Sequence, residues 1–145
     1  MSGSGFDYSS FADYRRRFNR LSIDFEKWLI SFMTREGNRF IREVKLRTPV
    51  DTGDLRNHWR LDTITGITHG AGGRELNCWF INTMYYATFV EYGHAKPYKA
   101  GAAEGSADWV DGYFMMTVSI DQIERSMPAR FDTEFRQFLL GLEVM

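Results

Sequence analysis

The feature that most constrains this chain is the run of residues 11–47, which has no proline and a single glycine. Large apolar residues recur in this run in two series with intervals of seven, one series three residues after the other. The two series are Phe11, Phe18, Phe25 and Phe32, and Tyr14, Leu21 and Trp28. Residues at intervals of three, four and seven share one face of an α-helix. The run therefore predicts one long helix with an aromatic stripe along a single face.

The face of this helix opposite the stripe is rich in cations. Because acidic residues are interspersed with them, we interpret it as a face exposed to solvent. The heptad spacing is lost between Arg35 and Arg39, around Gly37, so a bend in the helix at Gly37 is an open alternative. The cations are Arg15, Arg16, Arg17, Arg20, Arg35, Arg39, Arg42 and Lys45, and the anions are Asp13, Asp24, Glu26, Glu36 and Glu43.

The pair Thr48 and Pro49 ends the helix, because a residue before proline avoids the helical region and proline lacks an amide donor. A turn-rich segment, residues 50–54, follows, and we expect Gly53 to have a positive φ angle there. Alternating and β-branched residues then predict two strands, over 55–67 and 75–83. The glycine-rich residues 69–73 between them predict a hairpin connection.

The second half of the chain alternates short helical patterns with a long loop. Residues 85–92 form an aromatic segment of about two helical turns that stops at Gly93. Residues 93–111 are rich in glycine, alanine and serine and are predicted to be a long loop with Trp109 as its anchor. A helix follows over 113–127, with a start at Ser119 as an alternative. Pro128 is expected in the first turn of a last helix, whose apolar stripe is Phe131, Phe135, Phe138, Leu139 and Leu142.

The composition is typical of a globular protein, with 145 residues, 43% hydrophobic and 26% charged. We expect a single domain over residues 1–145 with a short N-terminal arm at 1–10. The net charge of -1 argues against a dedicated nucleic-acid binder. One cysteine, Cys78, excludes an intrachain disulfide and a cysteine metal cluster and suits a reducing compartment. Neither a signal peptide nor an apolar run long enough to span a membrane is present, so folding in the cytosol is expected.

Residues that could support catalysis are few and scattered. The three histidines fall in different predicted elements: His58 in the first strand, His69 in the hairpin turn and His94 after the aromatic segment. The spacing Glu91-x-x-His94 fits half of a carboxylate-bridged di-metal site, but no second copy exists. We interpret Cys78 as a small buried hydrophobe, and Asp51 and Asp54 as turn-forming residues. The residues thus offer no evident catalytic site, and neither a metal nor a cofactor is expected.

Three segments, in order, resemble the head-to-tail joining proteins of long-tailed bacteriophages, also called neck or tail-completion proteins. Residues 48–59 read TPVDTGDLRNHW and are similar to the family signature T-P-V-x-T-G-x-L-R. Residues 85–94 read YYATFVEYGH and resemble Y-A-x-x-V-E-x-G-[TH]. Residues 109–119 read WVDGYFMMTVS and resemble W-V-x-G-x-F-M-x-T-x-S. The segment departs from the pattern at Asp111, where many relatives have proline, and at Tyr113, where they have arginine.

The resemblance implies an α+β fold in which a small antiparallel sheet, built around a β-hairpin, is flanked by a long N-terminal helix and by C-terminal helices. It also implies a non-enzymatic, homo-oligomeric ring, commonly hexameric, in the virion neck, with genomic DNA passing through its lumen without specific binding. Its partners would be the head-closure or connector protein and the tail terminator or tail tube protein. The structural and interface residues would be Thr48, Pro49, Asp51, Thr52, Gly53, Leu55, Arg56, Tyr86, Ala87, Glu91, Gly93, His94, Trp109, Gly112, Phe114 and Met115.

Specific surroundings are expected for three of the motif residues. Glu91 lies among aromatic residues, where an unpaired carboxylate would be costly, so it should pair with Arg56, with Arg60 or with a cluster of backbone amides. Phe114 and the methionine that follows it are expected in the core.

Three other functions are alternatives. The nearest is a tail terminator, a related ring that caps the tail tube. The second is a nucleic-acid-binding module that uses the cluster Arg15, Arg16 and Arg17, and a remote third is a small hydrolase that uses His58 and Asp51.

Overall fold

The computed structural model describes residues 9–70, 73–96 and 108–143 and has the predicted α+β class. Its elements, in chain order, are α1 (Ser9–Arg47), α2 (Asp54–Asn57), β1 (Trp59–Gly70), β2 (Gly73–Asn82), α3 (Ala87–Tyr92), β3 (Gly93–Ala95), β4 (Trp109–Asp111) and α4 (Met115–Glu143). The long N-terminal helix is confirmed, and it ends one residue before Thr48, as expected from Pro49.

Helices α1 and α4 lie side by side in antiparallel directions, and aromatic rings fill the space between them. The ring centroid of Trp28 lies 5.3 Å from those of Phe131 and Phe138 and 5.4 Å from that of Phe135. Phe32 lies 5.3 Å from Phe131 in an edge-to-face arrangement. Offset and edge-to-face pairs of this kind stabilise beyond the area that they bury. The central part of the predicted stripe on α1 is therefore the seam with α4.

Helix α4 runs unbroken through Pro128, which corrects the prediction of two C-terminal helices divided at this residue. A proline inside a helix removes one backbone hydrogen bond and costs about 3 kcal/mol. Contacts with α1 on both sides of Pro128 offset that cost, since Gln122 accepts a hydrogen bond from Arg47 and Arg130 donates to Glu36. The helix predicted over 113–127 is present from Met115, and the alternative start at Ser119 is excluded, because the buried Ser119 hydroxyl donates to the Met115 carbonyl inside the helix.

The hairpin of β1 and β2 packs against α1 at Gly37. The strands pair in antiparallel register from Trp59 opposite Asn82 to Gly70 opposite Gly73, and the two residues between them lie outside the described residues. A Cβ atom at Gly37 would lie 3.2 Å from the Leu61 side chain and 3.5 Å from Phe80. The glycine thus permits the hairpin to approach closely, and α1 continues through it without interruption.

The beginning of the first strand differs from the prediction. Residues 55–57 belong to the short helix α2, and His58 forms its C-terminal cap instead of lying in a strand. Leu55 is 5% exposed and joins a core cluster with Phe40, Val44, Trp59 and Met115. Burial of Leu55 in this cluster favours the helical turn over the extended chain that local residue preferences predict.

The long loop predicted over residues 93–111 contains a second sheet. Strands β3 and β4 pair in antiparallel register, with Gly93 opposite Asp111 and His94 opposite Val110. Residues 97–107 of the predicted loop lie outside the described residues. Three-residue strands separated by more than ten residues carry too little periodicity to be recognised locally.

The cationic face of α1 is not entirely solvated, contrary to the prediction. Glu36 is 3% exposed, and Arg130 of α4 donates to its carboxylate from Nε at 2.8 Å and from a terminal nitrogen. This hydrogen bond to Glu36 raises the pKa of Arg130 above its ordinary value. Arg39 Nε lies 3.2 Å from the same carboxylate, but the angle is unsuitable for a hydrogen bond. Arg39 therefore interacts with Glu36 through its charge alone. A buried ion pair therefore joins α1 to α4.

Candidate functional site

The Glu91 carboxylate, in the last turn of α3, caps the N-terminus of α4. Glu91 is 4% exposed and accepts hydrogen bonds from the backbone amide of Met116 at 2.8 Å and from that of Thr117 at 2.9 Å. The Thr117 hydroxyl donates a third bond at 2.7 Å. The first amides of a helix lack partners within the helix, and a negative charge there is further stabilised by the helix dipole. The expected amide cluster is confirmed as the partner of Glu91, whereas Arg56 and Arg60 are exposed.

Two glycines allow the backbone around Glu91 to pack without intervening side chains. A Cβ atom at Gly112 would lie 2.2 Å from the Glu91 carbonyl oxygen, and one at Gly93 would lie 2.4 Å from the Val110 carbonyl oxygen. Gly93 also has a φ angle of 86°, in the region that glycine adopts most readily. The Phe114 amide donates to the Glu91 carbonyl at 3.0 Å. The second and third motif segments are thus joined by main-chain contacts.

The first motif segment, residues 48–55, forms a compact turn between α1 and the hairpin. The Thr48 hydroxyl donates to the Val44 carbonyl at 2.6 Å and accepts a bond from Trp59 Nε1 at 2.9 Å. Gly53 has a φ angle of 91°, which confirms the expected positive value. The Thr52 hydroxyl donates to the Asp54 carboxylate at 2.7 Å. These contacts hold the turn beside the core.

The three motif segments meet at a surface groove of about 570 Å³, which we call the motif groove. One wall is the turn between α1 and α2, and the other comes from the residues around α3 together with Tyr113. Two carboxylates lie along it, and its described lining includes no lysine or arginine. The lining residues are Pro49, Val50, Asp51, Thr52, Gly53, Asp54, Leu55, Met84, Tyr86, Val90 and Tyr113.

The other predicted motif residues differ in burial: some lie in the core and others are exposed. Met115 is fully buried and Ala87 packs against the same core cluster. His94 and Arg56 are exposed, in β3 and α2. The prediction that Phe114 lies in the core is wrong, because this side chain is 45% exposed.

Several aromatic side chains are exposed on the segments that meet at Glu91. They lie on α3 and its flanks, on β4 and on the segment that leads into α4. Phe114 has a φ angle of 48°, a left-handed conformation that is uncommon for a bulky residue and that concentrates at functional sites. We call this set the aromatic patch: Tyr85 (87% exposed), Phe89 (54%), Tyr92 (53%), Trp109 (58%), Tyr113 (61%) and Phe114 (45%).

The residues considered for catalysis have ordinary structural surroundings. His58 Nδ1 lies 2.6 Å from the Asp54 carbonyl oxygen at the end of α2. The Cys78 thiol is half-buried 3.9 Å from the Met33 carbonyl, and burial raises its pKa. The side chain of His69 lies outside the described part of the structure. Among the described residues, no group of three or more histidine, cysteine, aspartate or glutamate side chains is placed to hold a metal ion.

The described helices include none that is both long and apolar enough to cross a bilayer. The fold is α+β, and it exposes several large aromatic side chains. A family model described as "Bacteriophage HK97-gp10, putative tail-component" matches residues 12–93, more than half of the chain. The chain belongs to this family, and is therefore a structural component of a bacteriophage virion that interacts with other virion proteins.

The family match includes the first motif segment and all of the second except His94, and it ends at Gly93, before the third. Comparison with curated proteins and comparison with solved structures give no significant match.

Proposed function

We propose that this chain is a subunit of the virion neck, which assembles as a homo-oligomeric ring, commonly hexameric in this class, and joins the completed tail to the head connector. Genomic DNA would pass through the lumen. The observation that carries the proposal is the aromatic patch, in a member of a tail-component family. Aromatic side chains are enriched in the surfaces by which proteins bind one another.

The patch is suited to binding because the segments that carry it are joined to one another. The Glu91 carboxylate links α3 to the start of α4, and Gly93 and Gly112 allow the short strands to pack directly against α3. A backbone that is already held in place loses less conformational entropy when a partner binds. Exposed tryptophan and tyrosine on such a support are the residue types that dominate the energetics of protein interfaces.

The charge of the chain supports a lumen that lets DNA slide. The net charge is -1, and Arg16 of the N-terminal arginine cluster pairs with Asp13 at 2.5 Å. Tight binding to phosphates needs many uncompensated cations and weakens steeply with salt. Strong, salt-sensitive retention of the protein on duplex DNA, lost when Arg15, Arg16 and Arg17 are replaced by alanine, would favour the nucleic-acid-binding alternative instead.

The test is a phage in which this gene carries a premature stop codon. We expect full heads and complete tails to accumulate separately, and the intact gene supplied in trans to restore joined particles. A map of the restored particle should place a ring of this chain between the connector and the tail tube. A ring at the end of unjoined tails would assign the tail-terminator role, and normal joining without the protein would contradict the proposal.

A further inference from the structure

We propose that residues 13–23 of α1, which we call the α1 overhang, bind in the motif groove of the next copy of the chain. Subunits would then join head to tail. This inference rests on the proposed function, because it names the contact from which the ring is built. Its support lies in the shapes and charges of two surfaces at opposite ends of one helix.

The apolar stripe of α1 continues beyond Arg20, which is the level that the last turn of α4 reaches. The part of the stripe that packs on α4 begins at Phe25, near the end of α4, where Leu142 lies beside Arg20. Phe18 and Leu21 continue the same spacing of three and four, yet they are 68% and 39% exposed. The overhang thus presents an apolar stripe that the described residues of this chain do not cover.

The overhang is also strongly cationic. It carries four arginines, Arg15, Arg16, Arg17 and Arg20, all exposed. Two copies of it placed together would bring like charges into contact, which disfavours an interface between two overhangs. The binding surface that fits it is apolar and acidic.

The motif groove has this character. Its lining is largely apolar, with Val50, Tyr86 and Val90 among the contributors. Asp51 and Asp54 are exposed along it, and its described lining residues include no cation. Apolar contact combined with opposite charge gives both affinity and a defined orientation.

Geometry prevents the two surfaces from meeting within one chain. Residues 17 and 47 are 30 positions apart on α1, which corresponds to about 45 Å at 1.5 Å per residue. The groove begins two residues after α1 ends, at Pro49. A contact between one surface and a different surface on the next copy repeats around a closed ring or along a filament. A subunit of the virion neck must form a closed assembly around the DNA, so we expect the ring and not the filament.

The experiment is cysteine cross-linking in assembled particles. The chain carries Cys78→Ser together with Arg17→Cys and Asp51→Cys, and purified particles are treated with a short bis-maleimide. We expect a ladder of covalent oligomers that ends at the ring size, because each copy links to two neighbours. The separation of about 45 Å along the helix excludes a link within one chain.

Two matched variants identify the contact. Thr133→Cys replaces Arg17→Cys in the control, because Thr133 is exposed on α4 and lies away from both surfaces; this control should give no ladder. Arg17→Cys without Asp51→Cys should give only monomer. A dimer from that variant would show that two overhangs pair with each other, and would overturn the inference.

The remaining outcomes separate the inference from the proposed function. Particles that contain the ring but give no ladder would overturn the overhang contact and leave the neck role standing. Joined particles that lack this chain would contradict the neck role, and the inference with it.

Discussion

The Glu91 carboxylate accepts hydrogen bonds from both the backbone amide and the hydroxyl of Thr117, at 2.9 and 2.7 Å. Glu91→Gln would place an amide NH2 group against the backbone amides of Met116 and Thr117. It would also remove the negative charge from the N-terminus of α4. We expect the free energy of unfolding to fall by about 2 kcal/mol, the range for losing charged hydrogen bonds to a buried group. Urea denaturation measures this, and the exposed Glu124→Gln on the same helix should change it by less than about 0.5 kcal/mol.

Arg130→Ala should be among the most destabilising changes in the seam between α1 and α4. It leaves the buried Glu36 carboxylate with only the misaligned charge of Arg39. Removing one partner of a buried ion pair costs about 3 kcal/mol or more, because the remaining charge stays buried. The matched control is Arg136→Ala, whose ion pair with Asp132 is exposed and should contribute less than about 1 kcal/mol. Equal unfolding free energies for the two variants would contradict the buried pair.

Two glycine-to-alanine changes should have opposite effects on the stability of the fold. Gly112→Ala brings a methyl group within 2.2 Å of the Glu91 carbonyl oxygen, so the second sheet must move away from α3. We expect a lower melting temperature and faster hydrogen exchange at the Phe114 amide. Gly141→Ala lies in the last turns of α4, where no atom of the described residues is within 4 Å of the new methyl, and should stabilise by up to about 1 kcal/mol. A neutral Gly112→Ala would contradict the close packing at this joint.

Trp109→Ala should leave the fold intact and impair joining. The Trp109 side chain is 58% exposed in the aromatic patch, so its loss removes interface area rather than core. Separate heads and tails should accumulate in cells that express this variant, while the purified protein keeps its melting temperature. Trp79→Ala, with 59% exposure on β2 outside the patch, is the control and should join normally. Unfolding of the Trp109 variant would place this residue in the core.

Alkylation of Cys78 should be slow. Burial raises the pKa of the thiol, so less reactive thiolate is present near pH 8 than in an ordinary cysteine. Iodoacetamide labelling should be slower in the folded chain than in the same chain unfolded in urea at the same pH. Equal rates in the two states would mean that the thiol is freely accessible.

The parts of the fold that depend on local spacing could be read from the sequence. The stripe on α1, the helix end before Pro49 and the positive φ angle of Gly53 all follow from preferences within a few residues. The motif segments could be recognised as well, but the sequence did not decide which of three candidate partners binds the Glu91 carboxylate.

The parts that depend on distant contacts could not be read in this way. The continuity of α4 through Pro128 comes from packing on α1, and the exposure of Phe114 comes from the backbone at the start of α4. The burial of Glu36 depends on Arg130, which is 94 residues away. No local pattern distinguishes such a carboxylate from its solvated neighbours.

The capping of α4 by Glu91 has a consequence for how the family can diverge. Two of the three donors are main-chain amides, which every amino acid except proline supplies, so substitutions at Met116 leave this attachment intact as long as proline is avoided. The match to the family model ends at Gly93, two residues after the carboxylate. Side chains of α4 that neither pack on α1 nor belong to the third motif segment can therefore change, and acquire new partners, while the helix stays attached to the rest of the fold.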